Sequence, residues 1–592
     1  MARHLLAQPS HDGSPLYVDN QAPDLGDTVS LSVRVPDAAG VTGLHVRTTP
    51  DGEHQFIEAT VDRRHGGETW WRVDVEVRNP VAGYRFLLDG PSGTRWLSAA
   101  GVASHDVPDA TDFRLLAGEP PPDWAADAVV YQIFPDRFAR SAAAAGRVLP
   151  DWAIPCDWDT PVIGRGPEAQ HQFYGGDLDG VAAHLDHIEA LGANTVYLTP
   201  IFPARSNHRY DGAAFDRVDP LLGGDEALVR LGEALRARGM RLLGDLTTNH
   251  CGDTHPWFRD AAPGDDAFYW EGDSYESWLG VKSLPKLNWG SATTRSRFLD
   301  GPDSVAQRWL DAPFRFDGWR VDVANMTGRR GADSYTHDVA RLIRGAIAGR
   351  DALLVAEHFH DASGDLDRGG WHGTMNYSGF LRPLWSWMRH DSLNLPDFLG
   401  VPGGVPRRDG MATHATMRAF AAMVSWRSFT SSWTLLGSHD TARIRTVVGD
   451  PAAGEVALGL QVTYPGTPMV FAGDELGLTG VNGEDSRRPM PWGSPTLGYY
   501  RDLLALRRAS EALRRGGLRW AHVDADCLAY LRESPDERLL VFARRAAGAP
   551  TTVEGLDART AMNVYGGAEI TPTPGGGAVL PGDGPTFQVW RL

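Results

Sequence analysis

The chain has 592 residues, 42% hydrophobic and 22% charged, the balance of a globular protein with room for several domains. Its formal net charge of −18 argues against nucleic acid and anionic membrane surfaces as partners, because both require a basic face, and it suits a neutral substrate. Cys156, Cys251 and Cys527 have neither metal-ligand spacing nor the density of a disulfide framework, which points to a reducing compartment.

The first segment, MARHLLAQPSHDG, has too short an apolar run for a secretory leader, so the cytoplasm is the expected location. Residues 1–122 read as all-β. VSLSVRV and TWWRVDVEV alternate apolar and polar side chains, VAGYRFLLDG ends in a turn, and a β-sandwich fits. Gly118-Glu119-Pro120-Pro121-Pro122 is a stiff boundary. Beyond it the pattern changes to strands without alternation, separated by helical spacing. AVVYQIF is followed by Val181, Leu185, Ile188 and Leu191; NTVYLTP is followed by Leu228, Leu231 and Leu235; then comes MRLLGD. Five more apolar runs, RFDGWRVD, ALLVAEH, GTMNY, SWTLLGS and PMVFAG, bring the strand count to eight. Eight parallel strands with helical crossovers predict a (β/α)8 TIM barrel over residues 123–517.

One connection is too long for a plain crossover. From about 250 to 303 the chain lacks a strong helical period but carries Trp257, Trp270, Trp278 and Trp289, which predicts a small excursion domain after strand 3, overhanging the barrel mouth. Val456 to Gly473 is uncharged, but Pro465, Gly466 and Pro468 divide it into helix, turn and strand rather than a membrane span. Leu497 to Leu513 reads as one amphipathic helix. Residues 518–592 return to short β runs and predict a C-terminal β-sandwich.

Four polar segments end four of the apolar runs: GDLTTNH at His250, FDGWRVD at Asp322, LLVAEH with Glu357, and LLGSHD at Asp440. Chemistry in a barrel sits at the C-terminal ends of its strands, so these groups converge on one rim. Cleavage of a glycosidic bond with retention needs two carboxyl groups roughly 5–5.5 Å apart, one to attack the anomeric carbon and one to protonate the leaving oxygen. Asp322 lies two residues after Arg320, so both side chains point the same way on a strand, and the guanidinium is expected to lower the Asp322 pKa. Glu357 ends a very apolar strand, where burial raises a carboxyl toward the range of a general acid. Asp440 faces them across the rim, and His250 and His439 can donate hydrogen bonds to the sugar. Singly, each residue is more often a structural ion pair or a satisfied core histidine; the combination, in this order on successive strands, points to a glycosidase.

These segments resemble the conserved regions of the α-amylase family, glycoside hydrolase family 13. The resemblance runs from about Tyr131 to Trp492, through YQIFPDRF, FYGGDLDG, SNHRYDG, the four segments above, MNY, GDE and RRPMPW. It implies Asp322 as nucleophile, Glu357 as acid/base and Asp440 as transition-state stabiliser. Arg320, His250 and His439 would support the glucosyl unit at the cleavage point, His208 and Tyr210 would contact that same sugar, and Asp245 would brace the region around the arginine.

Within the family, the N-terminal β-domain is similar to that of the neopullulanase, cyclomaltodextrinase and maltodextrin glucosidase groups. WAADAVVYQIFPDRFARS, MNYSGF and the apolar Met326 look closest to the maltodextrin glucosidases. The expected activity is therefore that of a retaining α-glucosidase on α-1,4 links of short maltodextrin oligosaccharides. The alternatives are a cyclomaltodextrinase, neopullulanase or maltogenic amylase, a transglycosylating relative, and, given the complete carboxylate set, least of all a non-catalytic binding protein. Some relatives bind structural Ca2+ near the Gly175-Gly176-Asp177 segment. Here the neighbouring loop reads SAAAAGR, few oxygens for an ion that takes about six to eight, so no metal or cofactor is expected. The resemblance also implies a homodimer through the N-terminal domain.

Overall fold

The computed structural model describes residues 5–91 and 93–592. Its centre is a parallel sheet of eight strands: β1 (Val130–Ile133), β2 (Thr195–Leu198), β3 (Arg241–Thr247), β4 (Gly318–Asp322), β5 (Leu353–Ala356), β6 (Gly373–Thr374), β7 (Trp433–Leu435) and β8 (Thr467–Phe471). They pair in the order β6-β5-β4-β3-β2-β1-β8-β7. A parallel bridge from Met375 to Trp433 joins the two ends, with the Asn376 N–H donating to the Trp433 carbonyl at 2.9 Å, and closes the cylinder. Chain order and spatial order therefore agree around the barrel, as right-handed crossovers require. All eight strands expected from the sequence form.

The strands lack alternation because both their faces are buried, one in the barrel and one under helices. Helix Gly224–Ala237 covers its neighbours with Leu228, Leu231 and Leu235. Each such leucine contributes about 1.5–3 kcal/mol of burial. Two glycines in the motifs are sterically required. A Cβ on Gly318, whose φ is +144°, would lie 2.1 Å from the Leu353 carbonyl oxygen, and one on Gly244 would lie 2.5 Å from the Trp319 ring. Strands β3, β4 and β5 can pack this closely only without those side chains.

Before the barrel, a three-stranded sheet (Thr28–Pro36, Glu68–Glu76, Thr60–His65) faces a six-stranded one (Gln55–Glu58, Gly43–Thr48, Val81–Asp89, Arg95–Ser98, Gly101–Ala103, Phe113–Leu116) over a core that includes Val33, Leu44 and Phe86. After the barrel, a five-stranded sheet (Gly517–Val523, Cys527–Glu533, Arg538–Arg544, Thr586–Arg591, Met562–Tyr565) and a three-stranded sheet enclose a third core around Leu540, Phe542 and Trp590. Ion pairs tie the three parts together. Arg34 Nη1 meets Glu533 at 3.0 Å, Arg519 Nη1 meets Glu68 at 3.2 Å, and Arg114 Nη1 meets Asp367 at 3.1 Å.

Two details differ from expectation. The segment 250–303 holds a true helix, Ala292–Leu299, whose start is fixed by Ser291 Oγ accepting from the N–H groups of Thr293 and Thr294. The Leu497–Leu513 stretch divides into Gly498–Ala509 and Glu511–Arg515, because Ser510 is extended and its Oγ accepts the Leu513 N–H, capping a new helix. Among the described residues, no helix is long and apolar enough to cross a membrane.

Candidate active site

Parallel register sets the first contacts of the site. Asp245 on β3 pairs with Arg320 on β4, and Thr247 pairs with Asp322. Arg320 and Asp322 are two residues apart and share the inner face, while Trp319 and Val321 join the core. Arg320 is fully buried. Its Nη1 donates to Asp245 Oδ1 at 2.9 Å, to Asp245 Oδ2 at 3.0 Å and to Asp322 Oδ1 at 2.8 Å. Its Nη2 lies 2.9 Å from Glu357 Oε2 and 3.9 Å from Asp440 Oδ2. One guanidinium thus gathers four carboxylates from β3, β4, the end of β5 and the loop after β7.

Val323, next after Asp322, has φ of +45°, a conformation that a β-branched residue adopts only under strain. That geometry aims its N–H at Glu357 Oε2, 2.8 Å away. Asp322 Oδ2, in contrast, has no hydrogen-bond partner.

The charge balance corrects one expectation. Arg320 does oppose protonation of Asp322, but it is shared. Burial pushes the Asp322 carboxyl well above its usual range, and the nearby Glu357, Asp245 and Asp440 add to the effect. Burial likewise raises Glu357, against Arg320 and with the help of Asp440. The Glu357 charge is thus one of the groups that raise Asp322, so neutralising Glu357 eases ionisation of Asp322. Burial also disfavours ionised Asp440, but His439, Arg487 and Arg320 outweigh it and keep this carboxyl below the usual range.

The loop after β2 contributes His208 and Tyr210. Between them Arg209 sits at φ +61°, held by its Nε on Asp219 Oδ2 at 2.7 Å and its Nη1 on the Asn207 carbonyl at 2.9 Å. The Tyr210 N–H donates to His208 Nδ1 at 3.1 Å. The Tyr210 hydroxyl lies 2.9 Å from Asp245 Oδ2 and 2.7 Å from His439 Nε2. Its ring lies parallel to the His439 imidazole, with centroids 5.5 Å apart. Burial lowers His250 and His439 to about 3 and His208 well below its usual value, so all three imidazoles are neutral near pH 7. The Nε2 of His250 has no partner.

These groups border a cavity of about 640 Å³, walled further by Trp152, Trp278 and Phe359. Trp278 comes from the 250–303 excursion, and its ring lies 6.1 Å from that of His250. Asp322, Glu357, Asp440, His208, Tyr210 and His250 line the cavity. Arg320, Asp245 and His439 stand behind them. Among the described residues, none from the N-terminal sheets lines the cavity. Met326 does not line it either; its carbonyl instead accepts from Lys286 Nζ at 3.0 Å.

Several supporting residues were not singled out from sequence. Arg487 donates from Nη2 to Asp440 Oδ1 at 3.1 Å and from Nε to the His439 carbonyl at 2.9 Å. Buried Lys286 in the excursion donates to Asn249 Oδ1 at 2.6 Å. Gln132 on β1 contacts His439. Arg487 and Gln132 belong to the RRPMPW and YQIFPDRF motifs, which carried the signal without the role; Lys286 had none. At the Gly175-Gly176-Asp177 segment, Asp177 Oδ1 accepts from the Gly180 and Ser141 N–H groups, and Oδ2 is held by Ser141 Oγ and Arg147. Both oxygens serve helix capping and an ion pair, which does not fit a calcium ligand.

The family described as alpha amylase, catalytic domain, matches residues 132–278 and 407–516. A cyclomaltodextrinase from a Bacillus species is 30% identical over 508 residues, 80% of this chain and 83% of that protein. Among solved structures, a cyclomaltodextrinase superposes with a TM-score of 0.72 at 26% identity, over 99% of this chain and 100% of the other. The cyclic α-maltosyl-(1→6)-maltose hydrolase of Arthrobacter globiformis, in complex with that sugar, gives 0.65 at 32% identity, over 80% and 100%.

Proposed function

The chain belongs to the α-amylase family of glycoside hydrolases acting on α-glucans, and on that premise we propose that it is a retaining hydrolase of the cyclomaltodextrinase–neopullulanase group, cleaving α-1,4 links in short or cyclic maltodextrins. The carrying observation is the Asp322–Arg320–Glu357 arrangement at one cavity, with a donor-free oxygen on Asp322. In the first step Asp322 Oδ2 attacks the anomeric carbon, the C–O bond to the leaving sugar breaks, and Glu357 gives its proton to the departing oxygen. In the second, Glu357 takes a proton from water, the water oxygen attacks the same carbon, and Asp322 leaves as carboxylate. Asp440 and the neutral His250 and His208 are placed to hold the sugar hydroxyls.

The expectation of an α-glucosidase rests on WAADAVVYQIFPDRFARS, MNYSGF and Met326; of these, Met326 is not among the cavity-lining residues, and its main-chain oxygen accepts from Lys286 Nζ. The relatives named as cyclomaltodextrinases support the alternative instead. The likeness to an enzyme crystallised with a cyclic tetrasaccharide supports a ring-shaped or short substrate. The test is incubation with β-cyclodextrin, maltotriose and pullulan, with identification of the first sugar released and its anomeric form by NMR. Ring opening with an initial α-anomer is expected. Glucose from maltotriose with no attack on the ring would restore the α-glucosidase reading, and an initial β-anomer would exclude retention.

A further inference from the structure

We infer that Gln132, on the opposite side of the barrel from the acidic pair, is a positioning residue that fixes which nitrogen of His439 carries the proton. The His439 backbone N–H can only donate. It donates to Gln132 Oε1 at 3.2 Å. That contact identifies the amide oxygen, so the other end, 2.8 Å from His439 Nδ1, is the NH2 group. An NH2 can only donate, so Nδ1 is the acceptor, and the neutral ring must carry its hydrogen on Nε2. Both Gln132 and His439 are completely buried, which keeps water from offering an alternative.

The consequence runs across the site as one directional chain. With hydrogen on Nε2, His439 donates toward Tyr210 Oη at 2.7 Å and Asp440 Oδ2 at 3.2 Å. The Tyr210 oxygen then also accepts from Arg320 Nη1 at 3.3 Å, and its own hydrogen goes to Asp245 Oδ2 at 2.9 Å. The His439 Nε2–H, the Arg320 Nη1–H and the Tyr210 hydroxyl each find an acceptor. With the hydrogen on Nδ1 instead, the Gln132 NH2 and the ring N–H would face each other, and a bare Nε2 lone pair would face the Asp440 carboxylate. The Tyr210 hydrogen would have to choose between His439 and Asp245. A single side chain on β1 therefore sets the polarity of contacts on β3, β4 and the loop after β7.

This inference rests on the reading of Asp440 and Tyr210 as sugar-contacting groups, and the experiment separates the two. Long-range 1H–15N correlation of full-length protein with 15N-labelled histidine, with the His439 signals assigned by loss in His439→Asn, reads the tautomer directly. The wild type is expected to show a protonated Nε2 and a bare Nδ1. Gln132→Met, of similar volume, removes both polar ends; Nδ1 loses its donor while Asp440 still faces Nε2, so the Nε2–H form should persist with the Nδ1 15N signal shifted toward that of an unbonded lone pair. Gln132→Glu offers Nδ1 an acceptor and should move hydrogen onto it. For Gln132→Met, kcat/KM on β-cyclodextrin should fall about 10- to 100-fold, mostly in kcat, the loss of one hydrogen bond that strengthens in the transition state. Retention of the Nε2–H form in Gln132→Glu overturns the inference, and so, even if that variant does not fold, does an unshifted Nδ1 signal or a kcat/KM within about twofold of wild type in Gln132→Met. Normal cleavage by His439→Asn would instead remove the reading of the site on which it stands.

Discussion

Replacing Glu357 with Gln is the most informative single perturbation of this site, because the structure allows the charge to be removed without disturbing its surroundings. Glu357 Oε2 accepts from the Val323 N–H at 2.8 Å and lies 2.9 Å from Arg320 Nη2. An amide oxygen in the same place keeps the Val323 hydrogen bond and an acceptor beside Arg320 Nη2, so fold and cavity should persist. The variant loses the transferable proton, which general acid catalysis values at about 100- to 10,000-fold. For an unactivated sugar leaving group the upper part of that range applies. We therefore expect kcat on maltotriose to fall about 1,000- to 10,000-fold, ~4–5.5 kcal/mol of transition-state stabilisation. Deleting this negative charge also lowers the Asp322 pKa, since Glu357 repulsion is one of the groups raising it. The nucleophile should thus be ionised more fully than in the wild type. A maltosyl fluoride, whose leaving group needs little protonation, should glycosylate Asp322 with a loss of under about tenfold, visible as a burst of fluoride in stopped flow. Added azide should then capture the intermediate as an α-glycosyl azide. Equal losses on the fluoride and on maltotriose, with no burst, would refute the assignment of Glu357 as the proton donor.

Arg320→Lys should lower kcat/KM by at least about 100-fold and reduce Tm, because one ammonium cannot replace a fork that reaches Asp245, Asp322 and Glu357 together; near-normal kinetics would contradict the shared-guanidinium account. Burial lowers Lys286 to about 8, with Glu276 opposing. The unfolded chain then binds more protons than the native one between about pH 8 and 10.4. Stability of the wild type relative to Lys286→Met should accordingly rise as pH increases through that window, and a Tm difference independent of pH from 7 to 10 would count against it. Val323→Gly should relieve about 1–3 kcal/mol of backbone strain while keeping the N–H that holds Glu357. Its Tm should be unchanged or higher and its kcat lower as the turn loosens, whereas a lower Tm would show that φ +45° is not costly here.

The barrel was legible because its strands are buried on both faces and therefore stand out as uninterrupted apolar runs. The carboxylates were legible because barrel chemistry occupies strand ends. A periodic pattern needs only neighbours in sequence, and so does the Arg320–Asp322 spacing. That is why the location of the site could be read from the chain alone.

What the sequence could not convey depends on groups far apart along it. Asp322 looked like an acid with an arginine of its own, yet Arg320 is divided among four carboxylates from distant strands, and burial outweighs it. Met326 looked informative about substrate, yet it is not among the residues that line the cavity. Lys286 carries no signal in the sequence, and only the folded excursion brings its ammonium to Asn249. The amino-acid order by itself determined the cylinder and the residue types on its rim, because burial and strand geometry are local in sequence. Protonation states, the direction of each hydrogen bond and the division of one cation among several anions were decided only by tertiary packing, because electrostatic energy depends on distance through space and on exclusion of water.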